Sequence, residues 1–551
     1  MPGPYKRSLE DAGCPQKGCP LDASEERTIT EESVTGAAPT GVAPVGIERA
    51  KRRRSDFPPN VPEECEKTAV SPMTVTPATV TPASVVTSDT ITPATIVPRD
   101  VVPVCSVYKG RASSFTLRMV DGRARRGTLE LPHARVETPC FMPVGTNGPM
   151  KMILSERMER LGPSLMLNNT YHLGARLGRE LLTHFGGTHT MMQWDGGLLT
   201  DSGGFQMVSL LKLARITEEG VEFEHPSTRE KMLLTPEESI AIQNAIGADV
   251  MMALDDVISA VDDDRKRFEI SVGRTTRWLH RCMAANARPD EQNLWGIVQG
   301  GLYADLREES LKQLRDLDLP GFAIGGLSGG ESKAQFAEMV ELCTRRYGQG
   351  LPEHKSRYLM GVGYPLDIVV CVALGCDLFD CVFPTRTARF GVALADEGHI
   401  RLKNNAYRTD PRPVDETCDC YMCQHFTRAF IHATIASSPS TLSMISEHNI
   451  RYLHNLGVRM RTAIEQKNYS GFVRDFLAKQ FPPAEDRFPP IWVRGALRQV
   501  MPEVESWYSW DSLTPAQIEA MQKDEKCGSH SHTEFQPRCT AAVEGDAGNQ
   551  S

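Results

Sequence analysis

The sequence predicts an α/β protein, a (β/α)8 barrel, on three observations. Between about residues 109 and 500, short apolar runs that end in a small or polar residue alternate with stretches of helical periodicity. There are eight such runs, the number that closes a parallel barrel. Glycine pairs and Asp or Gln side chains recur just beyond the runs, at the C-terminal strand ends where such barrels gather their chemistry.

The expected strands are Thr138–Val144, Leu165–Asn168, Leu198–Asp201, Val250–Asp255, Trp295–Gln299, Gly321–Gly325, Arg357–Gly361 and Leu378–Phe383. Helices are expected between them at Ser155–Leu161, Gly174–Phe185, Pro236–Ile246, Arg265–Ala287, Asp305–Leu317 and Lys333–Arg345. Several of these carry apolar residues at three- and four-residue steps.

The flanks read differently. In residues 1–108, Thr76-Pro77, Thr81-Pro82 and Thr92-Pro93 recur in a Ser/Thr/Val/Pro background with almost no aromatic side chains. Such a composition buries too little surface to offset ordering entropy, so a disordered arm is expected. Within it Lys51-Arg52-Arg53-Arg54 reads either as a nuclear-import or nucleic-acid patch or as an ordinary solvated cluster. Residues 501–551 are expected to form a largely disordered C-terminal extension. The scatter of Cys527, His530, His532 and Cys539 belongs to its tail rather than to a metal site.

The chain has 551 residues and a formal net charge of −9, so no global pull toward nucleic acid operates and any contact must rest on local patches. Its 15 cysteines follow no secretory leader and no framework-like spacing, which favours a reducing, intracellular compartment, cytoplasm or nucleus. No run of 18 or more apolar residues suggests a membrane span.

Chemistry is expected where the strands end. Asp201-Ser202-Gly203-Gly204-Phe205-Gln206 follows the third, Asp255-Asp256 the fourth, Gln299-Gly300-Gly301 the fifth and Gly325-Gly326-Leu327 the sixth, with Gly329-Gly330-Glu331 beyond. Glycine pairs let backbone amides approach a flat ligand, and Asp and Gln supply in-plane acceptors and donors, a set that suits a heterocyclic base. One such pair alone is merely a tight βα loop.

In the eighth run, alternation puts Leu378, Asp380 and Val382 on one face, so Asp380 sits among apolar neighbours. Pro384 is expected to halt the strand and turn the chain into a loop that carries Arg386 and Arg389. A carboxylate so placed is either satisfied by backbone or arginine or has chemical work to do.

Cys418, Cys420 and Cys423 form C-x-C-x-x-C, and His448 follows 25 positions after Cys423. Three thiolates and one imidazole make a closed tetrahedral zinc set, the mark of a structural site. His448 completes that set; His425, His432 and His454 are nearby competitors that read better as surface or core packing, since four ligands already suffice. Arg386, Arg389, Arg401, Lys403, Arg408, Arg412 and Arg428 cluster nearby, where a phosphate-binding face could form.

TDSGGFQ (Thr200–Gln206), GIVQGG (Gly296–Gly301), AIGGLSGGE (Ala323–Glu331), YLMGVG (Tyr358–Gly363), DLFDCVFPTRTARFG and CDCYMC followed by EHN occur together and in order. In these motifs the chain, from about Ser114 to Val500, resembles the tRNA-guanine transglycosylases. The resemblance implies a TIM barrel over 109–500 with an inserted zinc-binding subdomain at about 401–466. The implied activity is that of a pentosyltransferase exchanging the wobble guanine of GUN-anticodon tRNAs for queuine, a 7-deazaguanine base.

By the resemblance, Asp380 matches the family's nucleophile and Asp201 its general acid/base. Ser202, Gly203, Gly204, Asp255, Gln299, Gly326 and Leu327 match positions that line the base, with Phe205 and Met360 sandwiching its faces. Gly361, Val362, Gly363, Tyr364, Pro365, Leu366 and Asp367, with Thr385, Arg386, Thr387, Ala388 and Arg389, match RNA-holding segments. Val257 and Gly329 stand where relatives using a smaller precursor carry Cys and Val, which implies room for queuine itself. The Cys423-to-His448 interval is one residue shorter than in relatives, so the closing histidine stays open.

A heterodimer with a non-catalytic paralogous subunit is implied, a homodimer being the alternative. A second reading makes this chain that tRNA-binding partner; it is disfavoured because Asp201, Asp380 and the base-edge residues are present. A metal-dependent barrel hydrolase, the third, would need His and Asp ligands at strand ends, and no H-x-H lies near the first strand.

Overall fold

Strands Cys140–Gly145, Leu165–Asn168, Gly197–Thr200, Val250–Met252, Asn293–Val298, Gly321–Ile324, Ser356–Leu359 and Leu378–Cys381 pair in parallel and in chain order. The eighth closes on the first, with Leu378 opposite Cys140 and Asp380 opposite Met142. This computed structural model describes residues 113–204, 215–224, 230–485 and 487–523. The basic tetrad, the Thr-Pro repeats, Phe205 and the tail Cys and His residues lie outside the described residues.

Both faces of each strand are buried, which is why the strands read as continuous apolar runs. Alternating residues divide between two cores: Leu165, Leu167, Trp295, Ile297 and Leu378 pack inside the barrel, while Leu294, Val298 and Phe379 pack against the helices outside. The antiparallel sheet Ser114–Asp121, Ala124–Glu130 and Arg135–Thr138 contributes Leu129 and Val136 to the interior core.

The helices start where side chains can satisfy their free N–H groups. Asn169, Thr235, Asp264 and Ser332 each accept from a backbone N–H in the first turn, capping Thr170–His184, Pro236–Ile246, Arg265–Ala285 and Lys333–Cys343. Ser155–Leu161 and Ala304–Arg315 also form near their expected places.

Several expectations need correction. The first run divides into Arg135–Thr138 and Cys140–Gly145, since Pro139 between them has no N–H for a ladder. After Cys381 the chain forms a helix, Phe383–Arg389, instead of a loop, because Pro384 lies in its first turn, where the missing N–H costs nothing. Helix Pro365–Leu374 shows no amphipathic period, because apart from Asp367 it is apolar and buried all round. A small sheet, Arg215–Ile216, Val221–Glu224 and Lys231–Leu234, is inserted after the third strand. Of the C-terminal extension expected to be largely disordered, the described part 501–523 packs Met501, Val504, Tyr508 and Trp510 into the main core. No helix among the described residues is long and apolar enough to cross a membrane.

Candidate active site and metal centre

Alternation along the last strand aims Asp380 into the lumen one step above Leu378. Its Oδ1 accepts from Tyr358 Oη at 2.5 Å and from the Gly361 N–H at 2.8 Å. Burial raises the Asp380 carboxyl above its usual range, and those two donors pull it back. Tyr358 is buried in the interior core. Burial and the charges of Asp380 and Asp201 hold its phenol well above its ordinary value, so it remains a donor.

Asp201, directly after the third strand, is buried. Its Oδ2 accepts from Asn169 Nδ2 at 2.6 Å, and its Oδ1 from the N–H groups of Thr170 (3.0 Å) and Gly203 (3.2 Å). Beside it, Ser202 Oγ donates to Asp255 Oδ1 at 3.1 Å and Gln299 Nε2 to Asp255 Oδ2 at 2.7 Å. The third, fourth and fifth strands therefore deliver one connected polar cluster. Gly326 closes it from the sixth: its φ is +65°, and a Cβ there would meet Gln299 Oε1 at 2.3 Å, so only glycine fits.

Glu331 accepts from the Ser328 and Gly329 N–H groups at 2.6 and 2.8 Å, fixing the loop that carries Leu327. Gly329 has an ordinary backbone, and an added Cβ would only touch Ala260. Met360 reaches the interior core from the seventh strand end.

Burial pushes the Asp255 carboxyl up to about 6, with Asp256 adding to the rise and Gln299 and Ser202 opposing it. A folded-state value above the unfolded one means the native state holds the proton more tightly. Stability therefore falls as pH rises from about 4 through 6. At pH 7 the ionised group costs about 3 kcal/mol, roughly two units at 1.36 kcal/mol each. Asp255→Asn is expected to raise Tm at pH 7–8 and to leave it nearly unchanged at pH 4; equal Tm values across that range would contradict the burial argument.

The first segment expected to hold RNA touches the start of the helix that carries the second, where Tyr364 stacks on Phe383 with ring centroids 4.0 Å apart. Val362, Gly363, Pro365 and Asp367 are buried and Leu366 half-buried, with Asp367 paired to Lys333. On the following helix Thr385, Thr387 and Ala388 are buried, whereas Arg386 and Arg389 project into solvent.

Cys418, Cys420, Cys423 and His448 converge and are all buried. Their sulfurs lie 3.6, 3.4 and 3.3 Å from His448 Nδ1. Tetrahedral zinc bonded at about 2.3 Å to sulfur and about 2.0 Å to nitrogen would set these ligand atoms roughly 3.5 Å apart, so the donor set fits. His448 Nε2 bonds the Leu394 carbonyl at 2.8 Å, which leaves Nδ1 for a metal. The competitors fall away: His432 bonds the Leu402 carbonyl, His425 packs on Tyr421, and His454 packs on Gly162.

A family model described as queuine tRNA-ribosyltransferase matches residues 121–482. The chain is 47% identical over 385 residues to the queuine tRNA-ribosyltransferase catalytic subunit of Schizosaccharomyces pombe, covering 69% of this chain and 94% of that protein. It is 48% identical over 377 residues to the queuine tRNA-ribosyltransferase of Thermus thermophilus, covering 68% and 95%. The chain belongs to the queuine tRNA-ribosyltransferase family. It is accordingly a pentosyltransferase. The catalytic subunit of Caenorhabditis elegans is similarly close, 45% identical over 388 residues, covering 68% of this chain and 96% of that protein.

Within this queuine tRNA-ribosyltransferase fold, several site-building residues escaped the sequence reading. Arg307 is fully buried, its Nε donating to the Gly301 carbonyl at 2.6 Å and a terminal nitrogen to the Gly325 carbonyl at 3.0 Å. It thereby joins the loops after the fifth and sixth strands from inside helix Ala304–Arg315. Nothing marked it, because an arginine in a charged helix reads as a solvated face. Tyr358 and Asn169, which donate to Asp380 and Asp201, were likewise not among the expected site residues.

Proposed function

We propose that this chain exchanges the wobble guanine of GUN-anticodon tRNAs (Asp, Asn, His and Tyr) for queuine through a covalent ribosyl–Asp380 intermediate. The observation that carries the reading is the lumen-facing Asp380, whose Oδ1 holds both donors, beside the Asp201 and Asp255–Gln299 cluster. Asp380 Oδ2 attacks the ribose anomeric carbon as its bond to the guanine nitrogen breaks. Asp201 gives a proton to the leaving base and takes one from the incoming base, whose nitrogen then displaces Asp380. Asp255 and Gln299 read the base edge with the backbone of Gly326 and Leu327, Ser202 to Gly204 line the pocket, and Phe205 and Met360 flank the ring. Gly361–Asp367 and Thr385–Arg389 hold the RNA, with Arg386 and Arg389 toward phosphate.

Cys418, Cys420, Cys423 and His448 would hold a structural zinc ion, which cross-links the module when bound. The chain acts inside the cell with a non-catalytic paralogous subunit. Incubating it with labelled guanine and tRNA, with and without that partner, tests the reading: no incorporation in either case would overturn it.

Room for the cyclopentenediol arm of queuine is assigned to Gly329 beside Val257. Gly329→Val adds a branched side chain facing Ala260, and overpacking of this kind costs about 1–3 kcal/mol. The expected result is a roughly five- to 150-fold fall in kcat/KM for queuine with guanine exchange much less affected. Equal losses for both bases would assign the effect to the loop instead.

A further inference from the structure

Asp256 follows Asp255 directly, is fully buried, and is bound at every polar atom by one face of one helix. Its N–H donates to Thr275 Oγ1 at 3.1 Å and its carbonyl accepts from Ser271 Oγ at 2.6 Å. Its carboxylate accepts from both terminal nitrogens of Arg267, at 2.5 and 2.8 Å, and from Arg274 at 2.6 Å. Positions 267, 271, 274 and 275 share a side of helix Arg265–Ala285, so a single element grips this one residue. Arg274 also reaches Glu218 on the inserted sheet's loop at 3.2 Å, a contact that Arg277 makes twice more, at 2.6 and 2.9 Å.

Packing alone does not require this arrangement, since a buried ion triad is commonly replaced by apolar side chains without loss of stability. Its position gives it a use. We propose that Asp256, Arg267 and Arg274 are positioning residues for base recognition, locking the main chain beside Asp255 and cancelling the Asp256 charge so that Asp255 meets the heterocycle as a carboxylate. The proposal rests on the reading of Asp255 as a base-edge acceptor.

Few groups face Asp255. Ser202 and Gln299 bond its oxygens, and the Cys282 thiol on the same helix is pushed up to about 12 by burial and is uncharged. Burial is the main push of Asp255 toward its protonated form, and the Asp256 charge adds to it. Removing one guanidinium from Asp256 therefore makes Asp255 harder to ionise, whereas removing the Asp256 charge makes it easier.

The test is kcat/KM for guanine exchange from pH 5 to 9, with guanine binding by calorimetry over the same range, on the full chain with its partner subunit. Arg274→Gln is expected to move the acid limb up by about one unit, roughly a ten-fold loss below the limb with near-normal activity above it, chiefly in KM. Arg274→Lys should restore the parent profile, and Asp256→Asn should move the limb down. An unmoved limb in a folded, active Arg274→Gln protein overturns the proposal, as does a pH-independent loss that Arg274→Lys shares. If Asp256→Asn fails to fold, the two Arg274 variants decide alone. An inactive parent chain would instead refute the exchange reading, and the proposal with it.

Discussion

Asp380→Asn is expected to abolish base exchange, with kcat/KM falling on the order of 10^4- to 10^6-fold, the scale seen when a covalent nucleophile is removed. A tRNA adduct that survives denaturation is expected of the parent chain and should be missing from this variant. The fold has no reason to fail. An asparagine carbonyl in the place of Oδ1 accepts from Tyr358 Oη and the Gly361 N–H as the carboxylate does. It also removes a charge whose burial is unfavourable. Tm should hold or rise while activity disappears, a combination that separates lost chemistry from lost structure. Persistence of the adduct in the folded variant would assign the covalent step to another group.

Removing one sulfur from the Cys3His cluster is expected to have the largest effect on stability. If the cluster holds zinc as proposed, Cys420→Ser and His448→Ala should each lower bound zinc and the thermal transition together, because metal binding at closed sites of this type is coupled to folding and contributes about 10–16 kcal/mol in small peptides. The surrounding core is a cluster of its own, separate from the barrel cores, and includes Ala388, Ile400, Leu402, Val414, Ile431, Ile435 and Ile445. Such a core is expected to loosen without the cross-link. His432→Ala is the control, since its Nδ1 is held by the Leu402 carbonyl. A metal-free Cys420→Ser protein with unchanged Tm and activity would show that the cluster is only a group of buried thiols.

The same module shows how far local information reaches. The C-x-C-x-x-C spacing could be read directly because a short turn brings its three sulfurs together whatever the rest of the chain does. The fourth ligand, read as His448, stood beside His425, His432 and His454, which composition does not separate from it. What distinguishes His448 is the hairpin Val392–Ala395 and Gly398–Arg401, which brings the Leu394 carbonyl to its Nε2 across 54 residues of sequence.

By itself the sequence determined what short-range physics decides. The strand–helix alternation, the glycines and carboxylates at the strand ends and the thiolate spacing all follow from periodicity and residue chemistry over a few positions. Tertiary structure alone decided the rest. Helix Pro365–Leu374 had no polar face to reveal it, and Phe383–Arg389 was mistaken for a loop because proline stops a strand and starts a helix with equal ease. The donors to Asp380, the arginine inside the Gly301–Gly325 loops and the clamp on Asp256 come from residues 6 to 22 positions away. Such partners become neighbours only when the helices fold back on the closed barrel, since a buried hydrogen bond is specified by where two elements meet and not by the composition of either.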